Sequence, residues 1–162
     1  MQIGVYRYTF QSARKNSSPQ KLSQSDCREI SKSLNTDEWI FVDFGNSCEF
    51  YFVSIENISH NKIIKFLTEK KWLPKDVGIE QTVLNGRDAV NRFLQISVGA
   101  AGSFYGKPFL ETLHEAFHLA SERGHIGPVF HRLFQKGIWL HEKARQETNF
   151  FRYAVAQETV VG

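Results

Sequence analysis

His114-Glu115-Ala116-Phe117-His118 is the stretch of sequence that decides the predicted fold. It has the form H-E-x-x-H, in which two imidazoles four residues apart lie on one face of a helix. In that geometry His114 and His118 can bind one metal ion, and Glu115 lies beside them to take a proton from a metal-bound water. The stretch therefore predicts a zinc-dependent hydrolase with Glu115 as its general base.

The residues around this pentapeptide are mostly apolar, so the helix is predicted to be largely buried. Burying two histidines and a glutamate without partners is costly, and a bound zinc ion would offset that cost. A catalytic zinc generally keeps three protein ligands, and His125 is the first choice for the third. Gly124, directly before it, can end a helix at positive φ and let the chain fold back. The alternative third ligands are His131, His141 and Glu142.

The segment from Gly124 to Phe130, with the sequence Gly-His-Ile-Gly-Pro-Val-Phe, follows this helix. Together the two segments resemble the SprT-like and WLM group of zinc peptidases over residues 107–136. In that group an H-E-x-x-H helix is followed by a Gly-His-Gly-Pro-x-Phe type segment, whose histidine is the third zinc ligand. The resemblance implies a small metallopeptidase that holds one zinc ion through His114, His118 and His125. It also implies a protein or peptide substrate, including protein bound to nucleic acid.

The composition is that of an ordinary globular protein. The chain has 162 residues, of which 41% are hydrophobic, and this predicts a single domain over residues 1–162. The formal net charge is +3 and the pI is about 8.9. This mild basic excess permits a nucleic-acid partner but gives it little support, and it leaves the oligomeric state open.

Cysteine usage and hydropathy indicate the compartment. Cys27 and Cys48 are too few for a disulfide framework and lack C-x-x-C spacing, so we expect free thiols. The N-terminus has no apolar signal region, and no run approaches the roughly 18 apolar residues of a membrane span. We therefore expect a cytoplasmic protein that does not enter a membrane.

The order of elements predicts an α+β class. Residues 3–10 alternate like a strand, and residues 39–44 and 50–55 are strand-like runs around Gly45-Asn46-Ser47, a good β-hairpin signal. The chain is predicted to be strand-rich over 1–85 and helical over 86–162, with the zincin-type H-E-x-x-H helix in the second half.

Two other interpretations remain at this point. H-E-x-x-H also occurs by chance, and the chain would then be a non-enzymatic protein-binding module, such as a toxin-neutralising or phage-type inhibitor. Alternatively, zinc is bound through four protein ligands and is structural, with no open position for a substrate. The zinc content of the purified protein tests the first of these interpretations, and the number of protein ligands around the zinc ion tests the second.

Overall fold

The main sheet has four antiparallel strands. A computed structural model of the chain describes residues 2–10, 22–56, 58–73, 79–104 and 106–147. The strands are β1 (Gln2–Phe10), β2 (Glu38–Asp43), β3 (Ser47–Ser54) and β4 (Ile79–Asn85). They lie side by side in the order β2-β3-β1-β4, and each neighbouring pair is antiparallel.

Two helices connect these strands. Helix α1 (Gln24–Leu34) joins β1 to β2, and helix α2 (His60–Glu69) joins β3 to β4. The order is therefore βαββαβ, the split arrangement of ferredoxin-like sheets. The predicted fold class, with strands first and then helices built around a zincin-type helix, is wrong, because α1 and α2 lie between the strands and cover one face of the sheet.

Alternation along the strands divides the core into two halves. Tyr6 and Tyr8 of β1 point toward α1 and α2, into a cluster rich in aromatic rings. Val5, the residue before Tyr6, points to the other face and packs with Ile40 of β2 and Tyr51 of β3. Because successive strand residues face opposite sides, one sheet supplies both hydrophobic layers.

Three further helices cover the second face. They are α3 (Arg87–Ser97), α4 (Phe109–Arg123) and α5 (Pro128–Glu147). A short ribbon of β5 (Ser103–Phe104) and β6 (Lys107–Pro108) leads into α4. A Cβ at Gly137 would lie 2.6 Å from the Ser97 side chain, so this glycine allows α5 to approach α3 closely.

The turn between α4 and α5 is fixed by strand β2. Gly124 ends α4 with φ 82°, as its position before His125 predicted. The Glu38 carboxylate of β2 accepts hydrogen bonds from the backbone N–H groups of Val129 (3.1 Å) and Phe130 (3.2 Å), in the first turn of α5. A Cβ at Gly127 would overlap that carboxylate. Glu38 thus satisfies the free N–H groups of α5 and is stabilised by the helix dipole.

Within the described ranges, no helix combines the length and the apolarity that crossing a lipid bilayer would require.

Candidate functional site

The predicted zinc ligands on α4 contact other side chains. His114 is half-buried, with its ring 5.1 Å from that of Phe134 in an edge-on arrangement, and burial lowers its pKa. His118 is exposed, 6.0 Å from the same ring. Glu115, the predicted general base, is also exposed, and its Oε2 pairs with the Lys107 ammonium at 2.7 Å.

His125, the predicted third ligand, has a structural role in the core. Its ring lies flat on the Trp39 indole, with centroids 3.8 Å apart and planes 4° apart. Its Nδ1–H donates to the Trp39 carbonyl at 2.7 Å, and the Trp39 N–H donates to the His125 carbonyl at 3.1 Å. Burial lowers the pKa of His125 to about 4, so the imidazole is neutral near pH 7.

These contacts show why the zinc prediction is wrong. Among the residues that the structure describes, no group of three or more His, Cys, Asp or Glu side chains is placed to hold a metal ion. The H-E-x-x-H spacing does put His114 and His118 one turn apart on α4. The Gly-His-x-Gly-Pro segment, however, forms the connection between α4 and α5 and places the His125 ring against the Trp39 indole.

A different set of polar residues lies between the sheet and α3. Arg7 of β1 is paired in register with Glu49 of β3, and Tyr51 lies two residues further along β3 on the same face. Helix α3 lies over this face and brings Arg92 to Glu49, while Phe93, next to Arg92, packs edge-on against Tyr51 at 5.5 Å. We refer to Arg7, Glu49, Tyr51 and Arg92 as the Arg–Glu cluster.

Glu49 is fully buried and interacts with all three other members. Its Oε1 accepts a hydrogen bond from Arg92 Nε at 2.7 Å and lies 3.4 Å from Arg7 Nε. Its Oε2 accepts from the Tyr51 hydroxyl at 2.6 Å. A buried carboxylate is costly unless charged and hydrogen-bonding partners surround it, and here they do. Burial and the adjacent Glu49 charge raise the pKa of Tyr51 well above its ordinary value, so its hydroxyl stays a donor.

The Arg–Glu cluster has positive charge and donors to spare. Two guanidinium groups face one carboxylate, which leaves one positive charge in excess. Within the described part of the chain, Arg92 Nη2 and Arg7 Nε are buried and have no hydrogen-bond partner. The Arg7 side chain is 35% exposed and that of Arg92 is 12% exposed, so the cluster is reachable from solvent on the Arg7 side. The arrangement is suited to binding a further anion, for which a carboxylate has the matching geometry.

Neither thiol is available for nucleophilic chemistry. The chain has two cysteines, Cys27 and Cys48; neither is in a disulfide, and both are buried, with exposures of 2% and 0%. Burial raises the pKa of Cys27, which keeps it protonated. Reactive thiols are at least partly exposed and have a lowered pKa, so both cysteines are structural.

Comparison with known proteins identifies the family. The model of the family described as "Glutamyl-tRNAGlu reductase, N-terminal domain" matches residues 8–148. The chain belongs to this family. Among curated members, the glutamyl-tRNA reductase of Pseudoalteromonas translucida is 25% identical over 147 residues, which are 86% of this chain and 33% of the relative. That of Staphylococcus carnosus is 29% identical over 114 residues, 68% of this chain and 26% of the relative.

A solved structure has the same fold. The glutamyl-tRNA reductase from Methanopyrus kandleri superposes with a TM-score of 0.60 and 17% sequence identity, over 91% of this chain and 35% of that one. The chain spans about a third of the length of the curated relatives it matches first.

Family membership overturns the functional prediction. The chain is not a SprT-like or WLM-type zinc metallopeptidase, and the predictions of a hydrolase and a protease, which depended on that resemblance, are wrong. The toxin-neutralising or phage-type inhibitor is wrong as well. The resemblance rested on residues 107–136, whereas the family match extends over residues 8–148 and includes the sheet.

Sequence reasoning missed the Arg–Glu cluster. The available signal was Glu49, a charged residue in the otherwise apolar run Cys48 to Val53. A charge inside a buried strand requires partners. Those partners, Arg7 and Arg92, are 42 and 43 residues away in the chain (49 − 7 and 92 − 49), so only the fold brings them together.

Proposed function

We propose that this domain recognises glutamyl-tRNA, as the substrate-binding part of a glutamyl-tRNA reductase. The observation that carries the proposal is the buried Arg92 guanidinium, which has a hydrogen-bond donor to spare, in a chain of the reductase family. The named activity of its relatives requires a protein that distinguishes a glutamyl group from other acyl groups. The Arg–Glu cluster offers the charge for that distinction.

In this proposal the free carboxylate of the glutamyl side chain binds at Arg92 and Arg7. A guanidinium can donate two parallel hydrogen bonds to a carboxylate, and the excess positive charge would be neutralised on binding. The neutral amide of a glutaminyl group has only one acceptor oxygen. Its NH₂ group would face the N–H donors of the guanidinium and repel them. Binding through charge therefore favours glutamate over its closest isostere.

Glu49 and Tyr51 act as positioning residues. Glu49 fixes the Arg92 side chain through its 2.7 Å hydrogen bond, and the Tyr51 hydroxyl holds the second carboxylate oxygen. Because both Glu49 oxygens already accept a hydrogen bond and the residue is fully buried, its side chain stays in place when a second carboxylate arrives. Such preorganisation reduces the entropic cost of binding.

We assign recognition of the acyl group to this domain, and not its reduction. Reduction of an aminoacyl ester to an aldehyde needs a hydride donor and, where it proceeds through a thioester, an exposed thiolate. Both cysteines of this chain are buried. A role in binding aminoacyl-tRNA also fits the cytoplasmic location expected from the sequence, because aminoacyl-tRNA is used there in translation.

The test compares one tRNA carrying either glutamate or glutamine. We expect at least tenfold tighter binding of the glutamyl form, because a charged hydrogen-bonded pair contributes about 1.5–3 kcal/mol. Arg92→Gln should remove this preference, and Arg92→Lys, which keeps the charge but not the planar fork, should retain part of it. Arg87→Gln makes the same charge change at an exposed position of α3 and should leave the preference intact.

Thermal unfolding of each variant shows whether it is folded before binding is interpreted. Equal affinity of the wild-type protein for the two charged tRNAs would overturn the proposed recognition of the carboxylate. An undiminished preference in folded Arg92→Gln would place that recognition elsewhere.

A further inference from the structure

The outer face of α5 carries an exposed aromatic and basic stripe. Arg132, Lys136, Trp139 and Lys143 follow one another at spacings of four, three and four residues. At 3.6 residues per turn these positions fall within roughly 60° of the helix circumference and extend over about 16 Å. All four are exposed. We call them the α5 stripe.

Trp139 is exposed to an unusual degree for its residue type. Its exposed fraction is 49%, whereas those of Trp39 and Trp72 are 1% and 3%. Its neighbour Ile138 is 45% exposed. Tryptophan is mostly buried in folded proteins, and where it lies at the surface it is enriched at binding sites. The indole is thus an apolar surface that a partner could cover.

Two lysines flank the indole. Lys136 Nζ lies 4.1 Å from the Trp139 ring centroid, and Lys143 Nζ lies 4.8 Å from it. These cation–π contacts hold both ammonium groups over the ring, and a base that stacks on the indole would displace them toward its own phosphates. Glu142 and Glu147 are the acidic residues of α5. Glu142 is displaced by about 100° around the helix from Lys143, and Glu147, one turn after Lys143, adjoins the C-terminal end of the stripe. The stripe therefore combines a flat ring with clustered positive charge.

We propose that the α5 stripe binds the RNA of the tRNA substrate, with an unpaired base stacked on Trp139 and phosphates neutralised by Lys136, Lys143 and Arg132. This inference rests on the proposed function and names a contact that is separate from the Arg–Glu cluster. Single-stranded nucleic acid is bound by this combination of stacking platform and cationic side chains. A protein partner would more often meet an apolar patch depleted in lysine.

The geometry supports stacking on the ring and not between two rings. Within the described residues, no aromatic ring contact involves Trp139, whereas Trp39 stacks on both His125 and Phe50. One base could therefore approach the indole from solvent while the lysines turn toward the phosphates on either side of it. The stripe is long enough for a few nucleotides.

The test uses uncharged tRNA, which lacks the glutamyl group and so binds without the proposed contact to the Arg–Glu cluster. Because Trp39 and Trp72 are buried, quenching of the solvent-exposed tryptophan emission reports on Trp139. We expect tRNA to quench this component in the wild-type protein. Trp139→Phe should lose the optical signal but keep most of the affinity, measured by anisotropy of labelled tRNA. Trp139→Ala should bind about tenfold more weakly, as expected for the loss of one stacked base.

Charge is tested by a matched pair of double variants. Lys136→Gln with Lys143→Gln should reduce the slope of log affinity against log salt by about 1–2, since each released phosphate contact on a single strand contributes about 0.7. Lys62→Gln with Lys65→Gln removes the same charge from exposed positions of α2, on the other side of the sheet, and should leave the slope unchanged.

Two results would overturn the inference. The first is equal affinity for uncharged tRNA in the wild-type, Trp139→Ala and Lys136→Gln/Lys143→Gln proteins. It would show that the α5 stripe does not contact tRNA, and it would not affect the proposed recognition of the glutamyl group. Concentration-dependent self-association that Trp139→Ala abolishes, without any quenching by tRNA, would assign the stripe to a second copy of the chain. If the wild-type protein binds neither charged nor uncharged tRNA, the proposed function itself fails.

Discussion

The imidazole of His125 lies flat against the indole of Trp39, 3.8 Å between centroids, and donates a hydrogen bond to the backbone of the same residue. The contact joins the end of α4 to strand β2 across 86 residues of sequence. It makes His125 part of the core, and it connects the helical layer to the sheet that carries Glu38 and Glu49.

Removing this imidazole should destabilise the fold. His125→Ala eliminates the ring stacking and a buried hydrogen bond, so we expect the free energy of unfolding to fall by about 2–4 kcal/mol. His118→Ala, at an exposed position of α4, should change it by less than about 0.5 kcal/mol. Urea unfolding monitored by circular dichroism measures both. A similar small effect for the two variants would contradict the structural role of His125.

The stability should depend on pH below neutrality. The pKa of His125 is lowered to about 4 in the folded protein from 6.5, so between these values the unfolded chain binds more protons than the native one. Stability therefore rises with pH from about 4 to 6.5, and the half-buried His114, whose pKa is also lowered, adds in the same direction. The His125 contribution is on the order of 3 kcal/mol.

The control for this pH dependence is His125→Gln, in which the titrating group is absent. Its stability should be lower near pH 7 but should change less between pH 6.5 and pH 4. A wild-type protein as stable at pH 4.5 as at pH 7 would show that His125 is protonated in the native state.

Several local features could be predicted from the sequence. The alternation at residues 3–10 predicted β1, Gly45-Asn46 lies in the turn between the paired strands β2 and β3, and Gly124 ends α4 at positive φ. Each of these depends on neighbours within a few residues. Strand order did not follow from them, because pairing β1 between β3 and β4 depends on the way α1 and α2 cross over the sheet.

The site could not be predicted for a related reason. The H-E-x-x-H spacing is a local pattern, and a helix that packs His114 on Phe134 satisfies it equally well. Whether His125 is free to bind a metal is decided by Trp39, and whether Glu49 is a buried ion is decided by Arg7 and Arg92. These contacts are formed by the tertiary structure, and the spacing of residues along the chain does not predict them.

Glu49 should be essential to the fold while Glu115 is not. Glu49→Gln leaves two guanidinium groups facing a neutral amide in a fully buried position, and we expect a loss of about 3–5 kcal/mol. Glu115→Gln removes a pair whose side chains are 45% and 51% exposed, and the change should be within about 1 kcal/mol. Chemical denaturation compares them; comparable losses would mean that the Arg–Glu cluster is not buried as described.

The Glu38 carboxylate should stabilise the start of α5. Glu38→Gln keeps one acceptor oxygen but removes the charge at the helix N-terminus, and we expect a loss of about 1–2 kcal/mol. Glu80→Gln, on an exposed position of β4, is the matched control and should be nearly neutral. Hydrogen exchange at Val129 and Phe130 should speed up in Glu38→Gln alone. Unchanged protection of these two amides would show that another group caps the helix.

The proposed binding of the glutamyl carboxylate by the Arg–Glu cluster is tested most directly by the ratio of two dissociation constants. The constants are those of one tRNA charged with glutamate or with glutamine, measured on the wild-type protein and on Arg92→Gln under the same salt conditions. The structure predicts a ratio of at least about ten in favour of glutamate, reduced to near one in Arg92→Gln. A wild-type ratio near one, or a ratio unchanged by the substitution, would contradict the claim.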